Sequence, residues 1–409
     1  MDSINLLIIF EMHKPMRKLI IFTALFSIAM AGFAAQQQPL QSIPFEVFGD
    51  HIFIKVKVDG SEPLDFIFDT GDGLTVISNE VAGQLNLTSD QTVKKTSAGG
   101  SVTGSLIDHN KLEIGDLHID DIEVYSLDLN HLERLIGRNI DGIIGYDLLY
   151  KHIIEIDYDR MEFEIYDNDT WVYNGDGKEF DLKLTSYIPH IPCTVKLNNG
   201  ETLKGEYFVN TGAGTTVDFN TPFVNKHDII DKTGKHYSYL TGGLEKEETL
   251  HYEGRVVDFN IKGFSFGDMP VGISQAKYGI QHSKKVFGII GNNVLRRFNI
   301  IFDYTNKKMY WEKNSSYEEA FHVNTTGFDV EMTPDLSEVK VHRVYEIGLA
   351  KQEGIKVGDI IMEIDGKSVH DMILPDIKKL INHEGGNFKM KVKRGGEEIL
   401  IDVERHDLI

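Results

Sequence analysis

The chain has 409 residues, too many for one compact core, so division into two or three domains is expected. Hydrophobic residues make up 41% and charged residues 26%, an ordinary globular balance that excludes wholesale disorder. Asp and Glu number 63 against 42 Lys and Arg; the formal net charge of −21 disfavours nucleic acid and anionic inner-leaflet membrane as partners. The acid is spread along the chain and reads as a solvated surface.

In chain order, residues 1–35 read as a leader. Arg17 and Lys18 precede an apolar run from Leu19 to Ala31, followed by the small residues Gly32, Ala34 and Ala35. A charged region, a short apolar stretch and a small-residue cleavage site make a secretory signal starting at Met16. The run is short for a membrane span, and no cysteine stands near the cleavage site to take a lipid. An exported protein, periplasmic or secreted, is expected, with no stable membrane span.

From Ile43 to about Tyr310 short strands alternate with Gly, Asn and Asp, and long helical periodicity is absent, so this region is predicted to be mainly β. Alternation is clear in His51–Val58, Ile153–Asp157 and Phe163–Tyr166. The region reads as a repeat. Its first copy holds LDFIFDTGDGLTVIS (Leu64 to Ser78) and, later, DGIIGYDLL running into the Asp157-Tyr158 strand. The second holds GEYFVNTGAGTTVDFN (Gly205 to Asn220) and FGIIGNNVL running into Asp303-Tyr304. Each copy also carries a Gly-Gly hairpin, Gly99-Gly100 and Gly242-Gly243. The copies join where Asn, Gly and Asp cluster, near Asp167 to Asp181, which places two lobes at 36–172 and 173–314.

Beyond the linker around Asn314 and Asn324 the pattern changes. Gly327-Phe328-Asp329-Val330 is followed by GIKVGDIIMEIDGKSV (Gly354 to Val369) and an amphipathic stretch near Leu374 to Asn382. Strand, short helix, strand, longer helix and strand predict a small α+β domain at 320–409.

An apolar strand running into Asp69-Thr70-Gly71 puts a carboxylate at the end of a rigid element. The Gly lets the chain turn back so that its N–H meets the carboxylate, and the Thr hydroxyl can bond across to a partner loop. Two such loops meeting about a two-fold axis bring two carboxyls together to share one proton, one acting as base and the other as acid. In the second copy the loop is Asn210-Thr211-Gly212. An amide keeps the shape and the hydrogen bonds but neither takes up nor releases a proton. Asp72 reads as a solvent-facing turn residue ahead of Gly73; its alternatives are to raise the pKa of Asp69 or to stand in as a second carboxylate.

The duplicated loop, apolar-apolar-Gly strand and hairpin resemble the retropepsin-like and pepsin-like aspartic proteases. The resemblance covers most of Ile43 to Trp311. It implies a catalytic pair at Asp69 and Asn210, loop support from Thr70, Gly71, Thr211 and Gly212, and the Gly-Gly hairpins as flaps over a peptide cleft. The 320–409 module resembles a PDZ domain through Gly354, Gly358, Asp359, Asp365 and Gly366. That implies a loop at Gly327, Phe328, Asp329 and Val330 for a peptide's terminal carboxylate, the peptide adding as a strand beside Phe328 to Met332. The alternative is a domain that only packs on the lobes. Peptide or unfolded protein is the expected substrate or ligand. No HExxH pattern, zinc-spaced Cys/His cluster or phosphate loop is present, and no cofactor is expected. Cys193 reads as a buried small hydrophobe. A monomer is expected, because pairing of the loops inside one chain outcompetes pairing between chains. Two readings follow, an impaired peptidase with Asp69 as its carboxylate, and a non-catalytic peptide receptor.

Overall fold

The computed structural model describes residues 38–383 and 385–409. The secretory leader expected in residues 1–35 lies outside the described residues. Mainly β structure, two lobes and a C-terminal module of different design are all present.

Each lobe is built on an eight-stranded sheet. In the first, neighbouring strands run Glu46–Phe48, His51–Val58, Leu64–Phe68, Gly142–Ile144, Thr75–Ser78, Leu117–Leu127, Ser101–Ile114 and Thr92–Thr96. In the second they run Lys183–Thr185, Ile188–Lys196, Thr202–Val209, Gly288–Ile290, Val217–Phe219, Phe264–Ser274, Thr249–Ile261 and His236–Thr241. Position by position, the order of chain segments is the same. The alternation in HIFIKVKV faces Ile52, Ile54, Val56 and Val58 into the main core while Lys55 points to solvent. Phe53 departs from the simple in–out pattern: it is buried on the opposite face with Phe48, Ile67 and Val76, so this strand is covered on both sides there.

A third, six-stranded sheet joins the lobes. Gln41–Pro44, Glu162–Tyr166 and Ile153–Asp157 come from the first half; Phe298–Asp303, Lys308–Lys313 and Lys178–Asp181 come from the second. Its central seam pairs Ile154 with Phe302 and Ile156 with Ile300, all fully buried. One continuous apolar core therefore runs through both lobes, from Ile43 to Tyr317. Cys193 is a free, buried thiol within it.

The segment after Trp311 is pinned. Arg297 is buried and donates to the carbonyls of Ser316 at 3.2 Å, Glu319 at 2.5 Å and Ala320 at 3.3 Å, while its guanidinium lies 3.9 Å from the Phe321 ring centre. A cation buried in this way is tolerable because carbonyl oxygens take its donors.

The C-terminal module has its own core, from Phe328 to Val403. Its sheet runs Phe328–Met332, Val339–Val344, Ile360–Ile364, Asn387–Arg394 and Glu397–Glu404, with the helix Leu374–Ile381 packed against it. The short helix expected between the first strands of the module is not formed among the described residues; the stretch before Gly354 makes turns instead. A single helix-like bond forms, from Glu353 N to Leu349 O at 2.9 Å, and the chain is then diverted by Gly354 at φ +89°. Among the described residues no helix is long and apolar enough to cross a membrane.

The shared core makes a prediction. Phe302→Ala opens a cavity at the seam between the lobes and should cost about 3–5 kcal/mol. Tryptophan fluorescence in denaturant should show one shifted transition, whereas an early transition of one lobe alone would mean that the seam does not couple them.

Candidate active site

The strand Leu64–Phe68 runs parallel to Gly142–Ile144, and Asp69 N donates to Ile144 O at 2.8 Å where the two strands end. The second lobe repeats this with Thr202–Val209 beside Gly288–Ile290 and a 3.0 Å bond from Asn210 N to Ile290 O. Gly145 closes the first Ile-Ile-Gly strand against the carbonyl of Asp69, where a Cβ would collide with the backbone. This is the physical reason for the Ile-Ile-Gly pattern.

The loops meet through their threonines. Thr70 Oγ1 donates to Val209 O at 2.7 Å and accepts from Thr211 N at 3.1 Å. Thr211 Oγ1 donates to Phe68 O at 3.0 Å and accepts from Thr70 N at 3.0 Å. Both side chains are buried. The grip places the neighbouring side chains face to face. The amide of Asn210 lies where a Cβ on Gly71 would be, and the carboxyl of Asp69 lies where a Cβ on Gly212 would be. Only glycine fits at 71 and 212.

Asp69 Oδ1 accepts from Gly71 N at 2.7 Å. Asn210 Oδ1 accepts from Gly212 N at 2.8 Å and Ala213 N at 3.0 Å. With its oxygen so committed, the amide presents its NH₂ toward Gly71 of the first loop as a donor. Burial pushes Asp69 up to about 7, and the negative charge of Asp72 adds to the effect; the Gly71 amide, Lys95 and the Gly212 amide oppose it.

Asp72 is not the solvent-facing turn residue expected from the sequence. It is buried, ion-paired with Lys95 Nζ, and its Oδ1 accepts from Leu74 N at 3.1 Å. Lys95 arrives from the hairpin strand Thr92–Thr96, a long-range partner that local turn chemistry does not reveal. Asp147, which the sequence reading passed over, accepts from Thr75 N at 3.0 Å and Thr75 Oγ1 at 2.7 Å, tying the segment after the Ile-Ile-Gly strand to the strand after the first loop.

Both Gly-Gly elements lie in hairpin connections, and these connections touch across the lobes. Gly99 N donates to Glu245 Oε1 at 2.6 Å, and Glu245 is buried. Ser97 O and Ala98 O accept from Ile280 N at 3.0 Å and Gln281 N at 2.9 Å. The sequence pointed to the hairpins but not to Glu245, which reads locally as one acid in the exposed run LEKEE.

In the C-terminal module, Gly327 sits at φ +83° and its N–H donates to Asn324 Oδ1 at 2.8 Å. Phe328 and Val330 point into the core, and Asp329 accepts a hydrogen bond from Tyr345 OH. Strand Phe328–Met332 is the edge of its sheet, flanked by helix Leu374–Ile381. Among the described residues no cluster of three His, Cys, Asp or Glu side chains is placed to hold a metal ion.

Residues 54–148 match the model of the aspartyl protease family, and residues 340–394 match that of the PDZ domain. A probable CtpA-like serine protease of Staphylococcus haemolyticus (strain JCSC1435) is 27% identical over 95 residues, which is 23% of this chain and 19% of that protein. The alignment thus spans about a fifth of that relative's length.

Two measurements probe the centre. Thr70→Val strands Val209 O and Thr211 N in a buried site and should cost about 2–6 kcal/mol in denaturant unfolding, at roughly 1–3 per orphaned group; Thr70→Ser should recover most of the loss. For Asp69, a folded pKa raised from 3.8 to about 7 means that the native state binds the proton more tightly. Its contribution to stability is complete below about pH 4 and is lost as pH rises through 7. The melting temperature of Asp69→Asn relative to the parent should therefore climb between pH 4 and pH 8, and a flat difference would mean that the carboxyl titrates normally.

Proposed function

We propose that these aspartyl-protease-like lobes and their PDZ domain form an exported bacterial protein that grips extended peptides or unfolded chains between the lobes, with Asp69 as its single working carboxylate. The leader from Arg17 to Ala35 supports export to the periplasm or beyond.

One observation carries the proposal. Asn210 occupies the place symmetric to Asp69 and makes the same kind of bond to its loop, yet it is an amide. In such a pair Asp69, once ionised, removes a proton from water, and the NH₂ of Asn210 polarises the peptide carbonyl by donating to it. Asn210 has no proton to hand to the leaving amine, so the one that Asp69 takes from water must serve it. The missing acid lowers the rate by about 10²–10⁴ relative to a complete pair. Since Asp69 ionises only near pH 7, residual cleavage rises with pH through neutrality. A paired-carboxylate enzyme needs its shared proton and works at lower pH.

The second reading is a peptide receptor without hydrolysis. It is favoured by the bond from Gly99 N to Glu245, which ties the hairpins together across the cleft. A receptor needs the hold and not the proton transfer.

Cleavage of a mixed peptide library by the mature protein from pH 4 to pH 9 distinguishes the two. Asn210→Asp should raise cleavage by about 10²–10⁴ and move its optimum to acid pH. Asp69→Ala should abolish whatever the parent does. Peptide retained by a parent that never cleaves it establishes the receptor. An inert Asn210→Asp alongside an active parent that Asp69→Ala silences sinks the paired-loop account.

A further inference from the structure

The edge strand Phe328–Met332 of the PDZ domain is hydrogen-bonded on one side only, to Val339–Val344. An exposed edge beside a helix is where an extended peptide adds as a further strand. Here that space receives a short helix of the first lobe, Asn130–Ile136. Lys378 Nζ, from helix Leu374–Ile381, donates to Leu135 O at 2.7 Å. A cation at the carboxyl end of a helix is favourable on dipole grounds. Arg134 pairs with the buried Glu331 at 3.6 Å, and Gly137 packs so closely on Leu374 that a Cβ there would collide with it. Leu135 lines a cavity of ≈ 120 Å³ together with Phe328, Val330 and Ile381, so the groove is occupied without being filled.

The same short helix reaches the cleft hairpin. His131 Nε2 donates to Gly243 O at 3.0 Å, and Asp128, just before the helix, pairs with Lys246 at 2.6 Å. From the PDZ side, Arg343 pairs with Glu248 of that hairpin. Groove, helix and hairpin tip thus form one contiguous set of contacts.

We propose that helix Asn130–Ile136 is a built-in ligand of the PDZ groove, and that an extended peptide with a free C-terminal carboxylate displaces it and loosens the 242–248 tip over the cleft. This rests on reading cleft and groove as peptide sites. The helix has no fully buried residue, and the ion pair and hydrogen bond that hold it to the PDZ domain are partly solvated, as a displaceable occupant requires. An irreversible cover for the edge would be closed by apolar packing alone.

The test uses the full mature chain and a pool of mixed-sequence decapeptides with free carboxyl ends, with the amidated pool as control. Arg134→Glu sets like charges beside Glu331. Gly137→Ala forces the helix end away from Leu374, and it carries the test if Arg134→Glu does not fold. Each variant should bind the free-acid pool about tenfold more tightly than the parent. Amide exchange should quicken at 328–332 and 242–248 in both. Equal affinity and unchanged exchange in both variants would overturn the proposal. Faster exchange with no gain in binding would also overturn it, by showing that the groove is not a peptide site and the helix a structural brace. A failure of the cleft reading appears separately, as a parent that neither cleaves nor retains the library and is unchanged by Asp69→Ala.

Discussion

The centre of this molecule is held by two threonine hydroxyls. Each donates to a carbonyl of the opposite lobe and accepts from the amide of its counterpart. A serine lacks the methyl that packs the hydroxyl into one rotamer, and a valine lacks the hydroxyl. Because the grip uses residues 70 and 211, it fixes positions 69 and 210 without using their side chains. That is why an amide can replace a carboxylate at 210 while the loop stays as it is. The fold is indifferent to the difference between Asp and Asn there; only proton transfer depends on it.

The two loops are nevertheless not equivalent. In the second lobe the residue after the glycine is Ala213, whose amide donates to Asn210 Oδ1. In the first it is Asp72, whose amide donates at 3.1 Å to the backbone carbonyl of Asp69 instead. Within its own loop Asp69 thus has fewer donors than its counterpart, and it has a buried negative neighbour; both differences favour its protonated form. Lys95 compensates in part from the hairpin. The electrostatics of the centre are therefore coupled to the position of that hairpin strand.

The strands, the two lobes and the paired loops were legible in the sequence because each is a local pattern: an apolar strand, a fixed turn, and a glycine where a Cβ would collide. The burial of Asp72 was not legible, since it depends on Lys95, which is distant in sequence. Glu245 escaped notice for the same reason: five residues rich in acid look like surface until a glycine amide from the other lobe arrives. In the PDZ domain Gly354 was legible as part of a glycine signature, but the segment before it lacks the bonds that would make it a helix. Nothing near Phe328 signals that its groove holds a helix of another domain, because the two segments are almost two hundred residues apart.

The pinned segment after Trp311 bears on how the PDZ domain behaves once its contacts open. Arg297 fastens the chain through Ala320, and the strand at Phe328 begins only a few residues later. A tether that short confines the domain within a small volume, where the effective concentration of one partner about the other is in the millimolar range. Re-docking is then governed by rotation on a leash and not by diffusion. Whatever departs from the groove is followed by rapid self-capture, so the assembly resets without dilution and without a second molecule.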